Sequence, residues 1–390
     1  SATSCTWLFH YAPTMPANLA QDYKMNKPAL TVYGSKVSYY TGKLEAYLRY
    51  KEIPYQFQAM TAEYFNRIVP EKTGAQQMPA VEFADGRWAT DSTPLIAWME
   101  EQYSDSSVLP QDPAQAFLCR LIEDYADEWL WRPAMHYRWS HFSDRQLLGT
   151  LLVDELFTDV MAPTWLKRWK IRRRQKSHFV DKDGVNSHTR SHVELGYLHI
   201  LDLLQHILNT RPYLFGDRPT LADFGLFGPM FRHFSQDPTP AEIMRQRAPA
   251  VFAWVGRLWN ARASACTGEL VEGIPNDLLP LLREISETHL PNLAANATAW
   301  REGSEKYDVA IQGTAYTNLP VSRYRCWCLE QLQAQFGDLP TASREAVRTL
   351  LEDQGGWDPL WQVEEPRSDY DPEGRAPFAV GLKVYPVQGA

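Results

Sequence analysis

Between residues 30 and 92 short apolar runs alternate with one helical pattern, and this order constrains the fold more than any other feature of the chain. Leu30-Thr31-Val32-Tyr33 reads as a strand, Gly34-Ser35 breaks it, and helical spacing follows over 37–51. Further strands are expected at Tyr55-Gln56-Phe57, at Pro79-Ala80-Val81-Glu82-Phe83 and, past the turn Asp85-Gly86, at Trp88-Ala89-Thr90. A helix over 92–103 closes the unit. A β-α-β order, then an irregular or helical piece, then β-β-α, predicts a small α/β domain.

Three corners of this unit carry chemistry. In Gly34-Ser35-Lys36-Val37-Ser38-Tyr39-Tyr40 a strand ends and a helix begins. Helix N-termini gather unpaired amides and positive potential, so Ser38 stands where an anion would be held. In Gln77-Met78-Pro79-Ala80-Val81 a proline directly before a strand is a candidate cis residue, which frees the Met78 backbone for a ligand. In Asp91-Ser92-Thr93-Pro94 a polar pair caps the next helix and Pro94 fits its first turn. Together they form a cradle suited to a peptide.

At these residues the chain resembles the glutathione transferase superfamily over about 28–262. "VYGSKVSYYTGKLEAYLRYKEIPYQF" is similar to the family's first strand, active-site turn and first helix; "QQMPAV" to its cis-proline strand; "DGRWATDSTPLIAWMEEQY" to its glutamyl-binding turn and third helix. A fourth match is Tyr213-Leu214-Phe215-Gly216-Asp217-Arg218-Pro219 running into Thr220-Leu221-Ala222-Asp223. Thr220 is a helix cap and Asp223 stands three residues on, able to reach back to the cap amide. This resembles the buried capping box of the family's helical domain, a folding element.

The resemblance implies a thioredoxin-like N-terminal α/β domain followed by an all-α domain, and the remaining residues read as a mostly helical C-terminal extension. The expected divisions are an N-terminal arm over 1–27, the glutathione-binding domain over 28–103, a Ser- and Pro-rich linker over 104–113, the helical domain over 114–265, and the extension and tail over 266–390. Helical patterns run over 114–139, with a break expected at Pro133, and over 146–160. The basic run from Lys167 to Lys176 reads as a solvated, irregular connection, with a phosphate- or carboxylate-binding role for some of its side chains as the alternative. In the extension helices are expected near 278–290, 323–335 and 342–351, and the last thirty residues as an extended tail.

Composition narrows the function classes. A formal net charge of −8 argues against a nucleic-acid partner. No apolar run reaches membrane-spanning length. Five scattered cysteines indicate a reducing, cytoplasmic setting. Glu123, Asp124, Asp127 and Glu128 share helical spacing and read as acids facing solvent or an interdomain cleft; His188, His192, His199 and His206 read as helix-face residues. No Glu-x-x-His accompanies the acids, and His188 and His192, which alone could chelate together, have no evident carboxylate or cysteine partner, so no metal is expected.

The resemblance further implies glutathione as co-substrate. Met78 and Pro79 would hold its cysteinyl part, Gln77 its glycyl end, and Asp91 and Ser92 the γ-glutamyl ammonium and carboxylate. Ser38 occupies the family's serine or cysteine position, so a serine-stabilised thiolate is expected. Tyr33 at the strand end is the runner-up and Ser35 a third hydroxyl within reach. The electrophile is unread; Trp129, Trp131, His136, Tyr137 and Trp139 are candidate lining residues, though core packing is the commoner fate of such aromatics. A cytoplasmic homodimeric transferase of the detoxification type, acting on a small electrophilic or aromatic substrate, is the leading expectation. The alternative is a non-catalytic relative that uses the extension as an interaction surface.

Overall fold

The computed structural model describes residues 29–379; the expected arm over 1–27 and the end of the tail lie outside the described residues. Strand β1 (Leu30–Gly34) is central, with β2 (Tyr55–Ala59) parallel on one side and β3 (Ala80–Phe83) antiparallel on the other, followed by β4 (Trp88–Thr90). The sheet order is therefore β2-β1-β3-β4. The parallel β1–β2 pair demands a crossover, which helix α1 (Tyr39–Tyr50) supplies. A π-turn at Tyr64–Ile68 leads into α2 (Val69–Thr73), and α3 (Ser92–Gln102) ends the unit.

Alternation along β1 sends its side chains to two cores. Leu30 and Val32 join the main core with α1 and α3, whereas Tyr33 enters a smaller cluster with Met60, Val69, Ala80 and Trp88 on the opposite face. This is the expected thioredoxin-like arrangement.

The helical part comprises α4 (Pro113–Glu128), α5 (Trp131–Ser140), α6 (Phe142–Leu156), α7 (Thr164–Lys176), α8 (Arg190–Leu208), α9 (Leu221–Pro229), α10 (Pro238–Arg247) and α11 (Pro249–Asn260). Asp112 caps α4, accepting from the amides of Ala114 and Gln115, and Pro113 occupies the first turn. The break expected at Pro133 falls instead at Trp129 and Leu130. Pro133 lies in the first turn of α5, where its missing N–H has no helical partner to lose. The basic run is not an irregular connection but helix α7. Its cations lie along α6 and its C-terminal end: Arg168 reaches Asp154 at 3.2 Å, Arg172 the carbonyl of Gln146 at 3.3 Å, and Lys167 that of Phe157 at 2.8 Å.

The extension forms α12 (Leu279–Glu287), α13 (His289–Arg301), a hairpin of β5 (Lys306–Ile311) and β6 (Thr314–Pro320), then α14 (Arg323–Gly337), α15 (Thr341–Gln354) and α16 (Trp357–Trp361). The hairpin was not expected. It turns through Gln312 and Gly313, both at positive φ (47° and 78°), the geometry that two-residue hairpin loops favour. Helices, hairpin and extension share one hydrophobic core, and Phe378 from the tail packs on Phe83 and Trp98 of the α/β unit.

The capping box at α9 is present and wholly buried. Asp223 accepts from the Thr220 amide at 2.9 Å and hydroxyl at 3.0 Å, from the Leu214 amide at 3.0 Å and from the Trp254 indole at 3.2 Å. Burial pushes its carboxyl up to about 6, and these donors pull against that rise. Asp223→Ala strands three buried N–H donors at roughly 1–3 kcal/mol each. Urea unfolding should therefore show a loss on the order of 3–5 kcal/mol; a loss below about 1 kcal/mol would mean the carboxylate does not hold this corner.

Candidate functional site

Strand register brings the three polar corners to one end of the sheet. Tyr33 at the close of β1 pairs with Ala80 at the opening of β3, and Ala80 pairs with Thr90 at the close of β4. Ser38, Met78-Pro79 and Asp91-Ser92 extend from those three positions, so the residues singled out in the sequence share an edge.

At the first corner Ser38 caps α1, its Oγ accepting from the Thr41 amide at 3.4 Å. The turn before it is engaged from α6. Ser35 Oγ donates to Glu155 Oε2 at 2.6 Å, and the Lys36 amide donates to Glu155 Oε1 at 2.8 Å. A carboxylate seated on this turn demonstrates that its donors converge as an anion site does.

The second corner has a cis Met78–Pro79 peptide, as expected. The Pro79 carbonyl accepts from Thr90 Oγ1 at 2.8 Å, which ties this corner to the third. Gln77 Oε1 is buried without a hydrogen-bond partner, and Tyr370 from the tail lies against the same side chain.

At the third corner Asp91 caps α3 at φ +72°, a conformation that costs an L residue energy and marks sites held for a purpose. Its Oδ1 accepts from the Thr93 amide at 3.3 Å and from the Tyr324 hydroxyl of α14 at 3.2 Å. Its Oδ2 is buried and unpartnered. Burial pushes the carboxyl up to about 7, with the Tyr324 hydrogen bond and the nearby Lys43 ammonium opposing the rise. Ser92 is buried beside it. The tail closes this side as well, because the Thr90 amide donates to the Pro377 carbonyl at 3.0 Å.

Below this corner Lys43 is wholly buried. Its ammonium meets Glu123, Asp127 at 2.6 Å and Thr93 Oγ1 at 3.3 Å. Burial opposes its charge, but Asp127 and Glu123 outweigh that and hold its pKa above the usual lysine value. The acidic run on α4 therefore does not face solvent. Glu123 and Asp127 take Lys43, Asp124 takes His289 at 2.6 Å, and Glu128 takes Arg325 at 3.1 Å.

Tyr33 stands apart from Ser38 in environment. Its ring stacks between Tyr64 and Trp88, 4.7 and 4.9 Å away, and its hydroxyl donates to Glu82 at 2.9 Å. Burial holds this phenol above its ordinary pKa. Among the aromatics considered for an acceptor surface, Trp129, Tyr137 and Trp139 are core residues. Trp131 is half-buried and stacks on Tyr40, with Phe179 against its edge. Glu155, Tyr324 and Tyr370 were missed because they reach the site from more than a hundred residues away, where local spacing carries no signal.

Residues 32–107 match the family described as glutathione S-transferase, N-terminal domain, and residues 192–257 the glutathione S-transferase, C-terminal domain. No curated protein matches the sequence. Among solved structures, the beta-etherase LigF from Sphingobium sp. strain SYK-6 aligns with a TM-score of 0.42 and 18% identity, covering 59% of this chain and 94% of that one. A glutathione S-transferase from Rhodospirillum rubrum F11 gives 0.38 and 17%, covering 59% and 87%. One from Methylobacterium radiotolerans, solved in complex with glutathione sulfonate, gives 0.38 and 19%, covering 63% and 98%. Residues 32–107 and 192–257 thus carry, in that order, the N-terminal and C-terminal domains of the glutathione transferase superfamily.

Proposed function

We propose that the protein is a glutathione-dependent transferase whose co-substrate lies along the sheet edge, with the γ-glutamyl group at Asp91-Ser92, the cysteinyl backbone at Met78-Pro79, the glycyl end near Gln77 and the sulfur at Ser38. One observation carries this reading: the edge that gathers these residues also holds two buried acceptors without partners, Asp91 Oδ2 and Gln77 Oε1. Buried polar atoms are normally paired, and an ammonium at Asp91 and an amide N–H at Gln77 would pair them. Ser92 at the start of α3 suits the glutamyl carboxylate. The thiol proton passes to solvent, and Ser38 donates to the thiolate that is left. The sulfur lone pair then forms a bond to the electrophile, whose leaving group takes its own electron pair. The half-buried Tyr40–Trp131 stack offers the acceptor an aromatic surface. The homodimer and the cytoplasmic setting belong to the same proposal. No described helix is long and apolar enough to cross a membrane, and the four described cysteines are free.

A specific observation favours a second reading, a binding protein without turnover. Tyr324 closes over Asp91, and Glu155 occupies the donors of the active-site turn. Calorimetry followed by assay against a panel of electrophiles separates the two. Glutathione should bind, and Ser92→Ala should weaken it about tenfold, roughly 1.4 kcal/mol. No heat at millimolar glutathione would end both glutathione readings, and binding without turnover would favour the second.

If turnover is found, Ser38→Ala removes one hydrogen bond to a charged acceptor, worth roughly 1.5–3 kcal/mol. The rate should fall about ten- to a hundredfold and the bound thiol pKa should rise. Tyr33→Phe should change little; the opposite pattern would move the thiol to Tyr33.

Asp91 supplies a pH test. Its carboxyl, raised to about 7, is largely protonated at pH 6 and ionised at pH 8. S-methylglutathione has no thiol to titrate, so its affinity should rise about tenfold over that interval as the Asp91 anion forms for the ammonium. In the free protein the sign runs the other way. A carboxyl raised above its unfolded value contributes stability below about pH 4 that is lost as pH climbs through about 7. Asp91→Asn should therefore flatten the binding profile and stabilise the free protein at pH 8. A variant that kept the wild-type pH profile would remove Asp91 from the ammonium site.

A further inference from the structure

On the helical side of the molecule, well away in sequence from the sheet edge, two imidazoles and a carboxylate converge. His136 lies on α5, His141 follows at the junction with α6, and Glu194 comes from the second turn of α8. His136 Nε2 lies 2.9 Å from Glu194 Oε1, and one ligand atom from each of the three residues falls within 4.8 Å of the others. His136 is 1% exposed, so this side chain is built into the fold and is not a surface accident.

An ordinary histidine–carboxylate pair would account for His136 and Glu194 alone. It does not account for His141. That ring is locked by stacking on Tyr137, 5.2 Å away and 7° from parallel, and its Nε2 is buried without a hydrogen-bond partner. The second nitrogen of His136 is also held, with Nδ1 3.0 Å from Ser140 Oγ. Metal-bound imidazoles characteristically have such an outer partner, which fixes the ring and its tautomer. Beside these groups opens a polar cavity of about 260 Å³, lined by His136, Ser140, Lys176, Asp181, Asn186 and Arg190.

We propose that His136, His141 and Glu194 bind a divalent transition-metal ion of the zinc type, with its remaining coordination position toward this cavity. Two imidazoles and one carboxylate are a donor set that zinc accepts at about 2.0–2.2 Å, and calcium or magnesium would ask for oxygen donors instead. Ligand atoms around a tetrahedral ion of that size lie about 3.3–3.5 Å apart. The three ligand atoms, all within 4.8 Å of one another, reach that spacing by small side-chain shifts. The proton count is unchanged, with water carrying the proton from one ring nitrogen of His136 to the other. Before binding, His136 carries its proton on Nε2, donated to Glu194, and Nδ1 accepts from the Ser140 hydroxyl. After binding, Nε2 gives its lone pair to the metal, and the proton resides on Nδ1 and is donated to Ser140 Oγ. Lys176 and Arg190 beside the cavity suit water or a small anion as the fourth ligand. This site does not depend on the glutathione reading.

The full chain, stripped with chelator and dialysed, should be titrated with zinc chloride by calorimetry and with cobalt(II) by visible absorption. One equivalent should bind in the micromolar range or tighter, and cobalt should develop the intense visible bands of a four-coordinate site. His136 is buried and its loss could unfold the domain, so the decisive variants are His141→Gln and Glu194→Gln at the edge of the site, with circular dichroism to confirm the fold. Each should weaken binding at least tenfold, and Ser140→Ala about tenfold through the outer shell. Absence of stoichiometric binding, or wild-type zinc affinity in a folded His141→Gln variant, would overturn the assignment.

Discussion

A single buried ammonium organises the junction on which the site is built. Lys43 rises from α1 into a space closed by Glu123 and Asp127 of α4 and by Thr93 of α3. A lone ion there would be prohibitively costly, and the two carboxylates without it would be worse. The three helices must therefore meet at one point with little freedom. The packing reflects this: Gly225 on α9 lies so near α4 that a Cβ would stand 2.7 Å from the Glu123 Cα. Asp91 sits two residues before Thr93 at the head of α3, so the geometry of its corner follows from where Lys43 holds that helix.

The same helix α4 explains why the extension is part of the fold. Among the described residues its remaining acids, Asp124 and Glu128, meet His289 and Arg325, both beyond the matched transferase domains. Arg325 also reaches Asp183, which Arg132 contacts at 3.2 Å. The extension thus supplies hydrogen-bonding partners to both acids and a fixed cation, Arg325, to Glu128. Once α14 is anchored in this way, Tyr324 is carried to Asp91. Contacts at Glu330 and Arg323 pin the tail segment that bears Tyr370.

Features that depend on neighbouring residues were legible in the sequence. Alternation named the four strands of the sheet, cap chemistry named Ser38, Asp91 and Thr220, and Pro79 announced its own peptide geometry. Features that depend on distant partners were not. The acids of α4 read as facing solvent or an interdomain cleft until Lys43, His289 and Arg325 are placed around them. The basic run becomes a helix because α6 offers Asp154 and the carbonyl of Gln146. The β5–β6 hairpin turns through Gln312-Gly313, a weaker signal than the asparagine- or aspartate-led pairs, and its buried Tyr316 meets His192 at 2.7 Å, a contact 124 positions apart. Among the site residues, those on the sheet edge were local and those that cover it were not.

The seat of Glu155 sets the condition for thiol activation in the proposed reaction. Its carboxylate takes the Ser35 hydroxyl and the Lys36 amide, the donors nearest the turn that would face a thiolate. Two negative charges about 5 Å apart at an effective dielectric of about 20 repel by roughly 3 kcal/mol. The Ser38 hydrogen bond contributes about 1.5–3 kcal/mol, no more than that repulsion. Ser38 alone therefore does not create a thiolate beside a seated Glu155. In the proposed reaction the carboxylate would swing away, returning two donors to the turn. On the proposed reading, thiol activation would then depend on Glu155 of α6 as well as on Ser38 of the α/β unit.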